Sequence, residues 1–262
     1  INYSQSVVGY GINITNYNFT IIKSCNIQQA DIGSDNTRAY GVFMNYSWGN
    51  IVFNNTIATS GNNSWGVAVA TFSNNNTIYG NFMNSTAFDG IGVRITENSS
   101  YNRIYSNTIN TIQSYGIYLI TNVDNNSIYG NTITSGGEWE IPIILVDNAY
   151  NNKVFNNSLI SNDGIGISLG ASPGAGYYFP NVFNNSVYDN VIVTNGTRGY
   201  GIHLTGNSYN NSIYRNNITT NASHGIYIND SYSNVFYENN ITAKSSVSSY
   251  GIYIGNNANN NT

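Results

Sequence analysis

Three regularities predict an all-β solenoid, a right-handed single-stranded parallel β-helix of about ten coils of 24–26 residues with three short strands per coil. A glycine followed by alternating apolar residues returns about every 25 positions. Two further apolar segments follow it on the same schedule, and an asparagine recurs at one place in the turn between them. A period of this size is one supersecondary unit stacked on copies of itself.

The first strand of each coil reads as in Gly116-Ile117-Tyr118-Leu119, Gly225-Ile226-Tyr227-Ile228 and Gly251-Ile252-Tyr253-Ile254. Its starts are Gly11, Gly41, Gly66, Gly92, Gly116, Pro142, Gly166, Gly201, Gly225 and Gly251, separated by 30, 25, 26, 24, 26, 24, 35, 24 and 26 residues. The two long intervals place excursions from the coil at 28–39 and 171–180. Solenoid loops of this kind are where function commonly sits. The second strand reads Thr77-Ile78-Tyr79, Ser127-Ile128-Tyr129 or Ser212-Ile213-Tyr214, and the third is marked by Met83, Ile133 and Ile218. Period-two alternation bounded by Asn, Ser and Gly specifies strands; the three- and four-residue spacings of a helix are missing. The right hand follows from the rule for parallel crossovers.

One residue type occupies one turn of eight successive coils: Asn55, Asn81, Asn107, Asn131, Asn157, Asn190, Asn216 and Asn239, with Cys25 in that place in the first coil. Asn tolerates left-handed geometry and carries both a donor and an acceptor, so stacked copies form a hydrogen-bonded ladder. A second row is aromatic: Phe53, Tyr79, Tyr105, Tyr129, Phe155, Tyr188, Tyr214 and Tyr237. Each follows an inward aliphatic residue and points outward. Such a stripe admits three readings: self-stacking that stiffens the sheet, a contact with a neighbouring subunit or loop, or a platform for sugar rings.

Composition narrows the function classes. Charged residues make up 8% of the chain and the net charge is −4, which leaves no basic surface for nucleic acid. No apolar run approaches the length of a membrane span. Cys25 stands alone, so no disulfide framework exists within the chain. Asn-X-Ser/Thr sequons recur, and those at Asn45, Asn98, Asn195 and Asn221 are candidate N-glycosylation sites, which points to the cell surface.

The alternation Asn-X-Ile-X-X-Asn-X-Ile with a following Gly-Ile-X-Leu resembles the parallel β-helix repeats of the pectin-lyase-like superfamily. The likeness is nearest to the carbohydrate-binding and sugar-hydrolysis repeats shared by periplasmic copper-maturation proteins and archaeal surface proteins. It spans nearly the whole chain and rests on structural positions, so it implies the fold more than an activity. Superfamily hydrolases use clustered aspartates, and the lyases use calcium-binding acids with a basic residue. Asp89 and Asp163 share the setting Asp-Gly-Ile-Gly but lie three coils apart, about 14 Å, beyond the reach of a carboxylate pair. Glu138, Glu140 and Asp163 form the best acidic group, with Glu140 and Asp163 on adjacent coils. His203 and His224 have no Cys or carboxylate beside them at metal-ligand spacing, so no metal or cofactor is expected.

These readings give one β-helical domain over 1–262, open at both ends because the repeat starts and stops in mid-coil. The expected function is a non-enzymatic extracellular structural protein, a filament, surface-layer or stalk segment. Its partners would be copies of itself stacked head to tail or the rest of a longer chain, with covalent or bound glycans. The alternative is a carbohydrate-binding or polysaccharide-degrading β-helix, a lyase or glycoside hydrolase, using the aromatic row and the Glu138, Glu140 and Asp163 group.

Overall fold

The computed structural model describes residues 2–5, 9–31, 38–138, 140–172, 177–178, 180–197, 199–244 and 249–262. Strands are its only regular elements among these residues, and they form three long parallel sheets. The first sheet holds ten strands from Gly9–Thr15 to Ile252–Ile254. The second holds nine from Ile21–Lys23 to Val235–Tyr237, and the third ten from Asn2–Gln5 to Asn240–Ala243. Every strand of these three sheets pairs with its homologue one coil away, in the register the repeat predicts: Ile104 lies between Ile78 and Ile128, and Val93 between Val67 and Ile117. Of the two excursions, 32–37 and most of 173–179 lie outside the described residues. Ala171–Ser172 and Tyr177–Tyr178 pair antiparallel, and the former packs on Ile143–Leu145 of the first sheet.

Inside the coil, the inward aliphatics of all three sheets fuse into one core. Val67, Ile78, Ile104, Leu119, Ile133 and Leu169 are fully buried. Each such side chain contributes about 1.5–3 kcal/mol of burial, and stacking repeats that contribution along the rod.

The glycine before the first strand has a steric cause. A Cβ on Gly201 would lie 2.2 Å from Ile218 Cγ2 and 2.5 Å from the Gly225 carbonyl oxygen. The coil turns its corner there, and the third-strand isoleucine of the same coil fills the space. At Gly251 a Cβ meets nothing within 4 Å. Gly201→Ala is therefore expected to cost about 2 kcal/mol by overpacking, whereas Gly251→Ala leaves stability within about 0.5 kcal/mol. Urea unfolding of the two variants checks this; equal costs would contradict the steric account.

Left-handed backbone falls one residue earlier than the ladder position that the sequence suggested. Ser24, Asn54, Gly80, Ser106, Gly130, Asn156, Asp189, Arg215 and Glu238 carry φ between 51° and 63°. Non-glycine residues there cost about 1–2 kcal/mol each, offset by what the next residue bonds.

Candidate functional site

That next residue is the ladder asparagine. From Asn55 through Asn216 each Nδ2 donates to the Oδ1 of the ladder asparagine one coil on, ending at Asn239, at 2.9–3.0 Å. The same Oδ1 atoms also accept backbone N–H groups, and Cys25 N donates to Asn55 Oδ1 at 2.9 Å. A second ladder, unforeseen in the sequence, runs through Asn50, Asn76, Asn102, Asn126, Asn152, Asn185, Asn211, Asn234 and Asn261, with Nδ2–Oδ1 distances of 3.0–3.1 Å. It brackets the second sheet from the other side. Both rows spend their polar atoms on one another and on backbone, so they staple coils rather than present a ligand row.

The aromatic row Phe53, Tyr79, Tyr105, Tyr129, Phe155, Tyr188, Tyr214 and Tyr237 is one continuous stack, with centroids 4.7–5.0 Å apart and planes within 9°. Each interior ring has both faces covered by its neighbours. Sugar recognition through C–H contacts needs an open face, so stacking leaves the row its edges and hydroxyls only. A shorter stack, Tyr150, Phe183, Tyr209 and Tyr232, repeats the arrangement one turn away.

Of the acidic group, the structure describes the side chains of Glu140 and Asp163, which meet different partners. The side chain of Glu138 lies outside the described residues, while its backbone pairs with Asp163. Glu140 is buried, and its carboxylate accepts the Gly137 N–H at 2.7 Å. Burial pushes the Glu140 carboxyl up to about 7, against N–H groups of Gly137, Gly136 and Ser114 that pull it down. Asp163 is exposed, and its Oδ1 lies against Gly196 on the following coil. Among the sequons, Asn98, Asn195 and Asn221 are exposed and Asn45 is half-buried. Asn221 Nδ2 donates to Asn195 Oδ1 at 2.7 Å.

The outer face of the first sheet carries the feature that periodicity did not reveal. Alternation sends Arg94 and Tyr118 outward, and Tyr40 and Trp65, which precede the corner glycines Gly41 and Gly66, join them; Tyr40, Trp65 and Tyr118 are buried and belong to an apolar cluster separate from the core. Ile141, Ile144 and Ile165 continue it. The Arg94 guanidinium lies 4.1 Å from the centroid of Trp65 and 5.5 Å from that of Tyr118. Arg38 reaches the same Trp65 ring at 5.6 Å. Trp65 thus acts as a post holding two of the chain's eight Lys and Arg side chains, each contact worth about 0.5–2 kcal/mol. Arg94 Nε is buried without a hydrogen-bond partner, and Arg94 forms no ion pair among the described residues. Burial lowers its proton affinity below the ordinary arginine value. A desolvated guanidinium with an unmet donor is a receptor for a carboxylate or similar planar anion.

Farther along the same face, His203 and His224 enter a tyrosine cluster. Tyr200 and Tyr227 stack at 4.5 Å, and His203 sits 5.5 Å and 5.3 Å from their centroids. Burial holds His203 at about 4, neutral, with Nδ1 unpartnered. His224 Nδ1 accepts the Tyr250 N–H at 3.1 Å.

Residues 168–262 match the model of a family described as periplasmic copper-binding protein (NosD). The side chains present do not assemble a copper site: among the described residues no three His, Cys, Asp or Glu groups come together. No curated protein matches the chain in sequence. Among solved structures, a point mutant of the periplasmic alginate epimerase AlgG is similar with a TM-score of 0.55 at 14% identity, over 92% of this chain and 74% of that one. A tailspike protein mutant of E. coli bacteriophage HK620, in complex with a hexasaccharide, is similar with a TM-score of 0.54 at 13% identity, over 95% of this chain and 52% of that one. The chain therefore spans about half to three quarters of the lengths of these proteins. What it shares with them is the fold, and the fold expected from the repeat is the one found: a right-handed parallel β-helix with three strands per coil.

Proposed function

We propose that the protein is an exported carbohydrate-binding β-helix that holds an acidic polysaccharide against the outer face of its first sheet. The observation that carries this is the Arg94 guanidinium, seated between Trp65 and Tyr118 with Nε unmet, beside Arg38. A chain of net charge −4 that gathers two arginines over one indole has built a local exception to its own field. Support comes from the fold, shared with an alginate epimerase and with a tailspike seen holding a hexasaccharide. A periplasmic or extracellular location fits the periplasmic family matched by residues 168–262.

The reading assigns binding rather than turnover. A carboxyl at about 7 has the proton affinity of a general acid–base group, but Glu140 is committed to the backbone donors of its own turn. Titration of an oligomeric alginate probe by calorimetry tests the binding. Arg94→Gln is expected to weaken it about 10–100-fold, with a shallower salt dependence, as loss of a charge-assisted contact does. Arg215→Gln, which removes an exposed ion pair with Asp189, is expected to leave affinity unchanged. Equal affinities for wild type and Arg94→Gln would overturn the assignment.

A second reading, a structural rod of the cell surface built from stacked copies or a longer chain, draws on the two Asn ladders and the closed aromatic stack. All three devices add stiffness along the axis. Electron microscopy at high protein concentration separates it: filaments many times the roughly 50 Å of ten coils support the rod, and single particles of that length oppose it.

A further inference from the structure

We infer that the turn joining the first and second sheets in the early coils carries a separate subsite for an uncharged sugar ring, in the corner formed by Phe19 and Trp48. The inference rests on the reading that the chain binds a polysaccharide.

Tyr17, Phe19, Tyr46, Trp48 and Phe72 cluster on this turn and are 47–69% exposed. Exposed aromatics in such density mark a contact surface. Their arrangement differs from that of the stacked row. Phe19 and Trp48 meet edge to face, with centroids 4.3 Å apart and planes at 73°. Gly49 is in the left-handed region at φ 69°, and a Cβ there would lie 2.8 Å from Phe19 Cδ1. The Phe19 ring therefore lies close against a bare backbone, with Trp48 as a wall, and both rings stay largely open to solvent.

The surroundings select the occupant. Segments 16–20 and 45–50 contain no charged residue; the aromatics alternate with Asn, Ser, Thr and Gly. Asn18 Oδ1 accepts the backbone N–H of Trp48 at 2.8 Å, which ties the two turns together. Glu97, at the border, receives a hydrogen bond from Thr71. An open ring face beside amides and hydroxyls complements a pyranose, whose C–H face is apolar and whose rim is hydroxylated. The corner is also continuous with the proposed binding face, because Tyr46 directly follows Ala39–Asn45, the strand that carries Tyr40. A polysaccharide crossing that strand would set its acidic units at Arg94 and an uncharged stretch in the corner.

The experiment uses the whole chain and two probes, a polyuronate hexasaccharide and its carboxyl-reduced, neutral counterpart, titrated into wild type, Phe19→Ala, Phe19→Tyr, Trp48→Ala and Arg94→Gln. Thermal melts confirm that each variant is folded. The expected result is that the neutral probe binds, that Phe19→Ala and Trp48→Ala weaken it at least tenfold, and that Phe19→Tyr and Arg94→Gln do not. Neutral-probe affinity unmoved by Phe19→Ala and Trp48→Ala, or no neutral-probe binding while the charged probe binds, overturns the corner and leaves the arginine reading standing. Corner-dependent neutral binding without any charged-probe binding does the reverse. Failure of both probes overturns both.

Discussion

Replacing Asn107, an interior rung of the ladder, by alanine is expected to destabilise the protein by about 4 kcal/mol. Asn107 is 1% exposed. Its Nδ2 donates to Ile78 O at 2.9 Å and to Asn131 Oδ1 at 3.0 Å, while its Oδ1 accepts both the backbone N–H and the Nδ2 of Asn81 at 3.0 Å. Alanine strands the Asn81 N–H and the Ile78 carbonyl in a dry interior, at about 1–3 kcal/mol each, and leaves a small void besides. Asn107→Asp retains the acceptor but turns it on two other acceptors, so its penalty should shrink as acidification protonates the carboxyl. Asn239→Ala, at a half-buried rung, should cost less than half as much. Urea unfolding of the three variants measures the series. Equal small costs at Asn107 and Asn239 would mean that the ladder is decorative.

The second prediction concerns two buried groups whose titrations oppose each other. The Glu140 carboxyl is raised from 4.5 to about 7 by burial. Between these values the folded chain keeps a proton that the unfolded chain has released, so its contribution is complete below pH 4.5 and is lost as pH rises to about 7. His203 is lowered from 6.5 to about 4, also by burial. There the unfolded chain binds the extra proton, so the contribution is complete above pH 6.5 and is lost as pH falls to about 4. Each swing amounts to about 3 kcal/mol. In wild type they nearly cancel between pH 4.5 and 6.5, and stability stays flat with respect to these two groups. Glu140→Gln should expose the histidine, giving stability that climbs by about 3 kcal/mol from pH 4 to 6.5. His203→Phe should expose the acid, giving a fall of similar size from pH 4.5 to 7. The residues lie on different coils with no shared partner, so the double variant should be flat again. Unfolding curves at stepped pH provide the check; parallel profiles for all the variants would refute it.

What could be read from the sequence was whatever repeats. The Gly-Ile-X-Leu strands, the inward aliphatics and the Asn55-to-Asn239 row announce themselves by period, because each is demanded afresh by every coil. The second ladder obeyed the same period but was masked by Asn doublets: in Asn125-Asn126, Asn151-Asn152 and Asn184-Asn185 the first residue takes positive φ and the second enters the ladder. Adjacent identical letters hid two different jobs. The candidate site was harder still. Arg94 holds a position filled elsewhere by Ala68, Tyr118, Ile144 and Ser168 in successive coils, so no rule of the repeat singles it out. Only the side-chain geometry shows that an outward residue is half-buried and lies over Trp65. The partners of Glu140 and Asp163 were hidden for a related reason. Coil alignment places their backbones side by side, but Glu140 turns toward Gly137 in its own corner, while Asp163 meets Gly196.

The most direct test of the proposed function is a crystal structure of the protein with a polyuronate hexasaccharide. The account predicts a sugar carboxylate within about 3 Å of the Arg94 guanidinium, bridging toward Arg38 across Trp65, as charge-assisted hydrogen bonds require. A hexasaccharide lying instead along the Tyr79-to-Tyr237 row, with the Arg94 face empty, would contradict it.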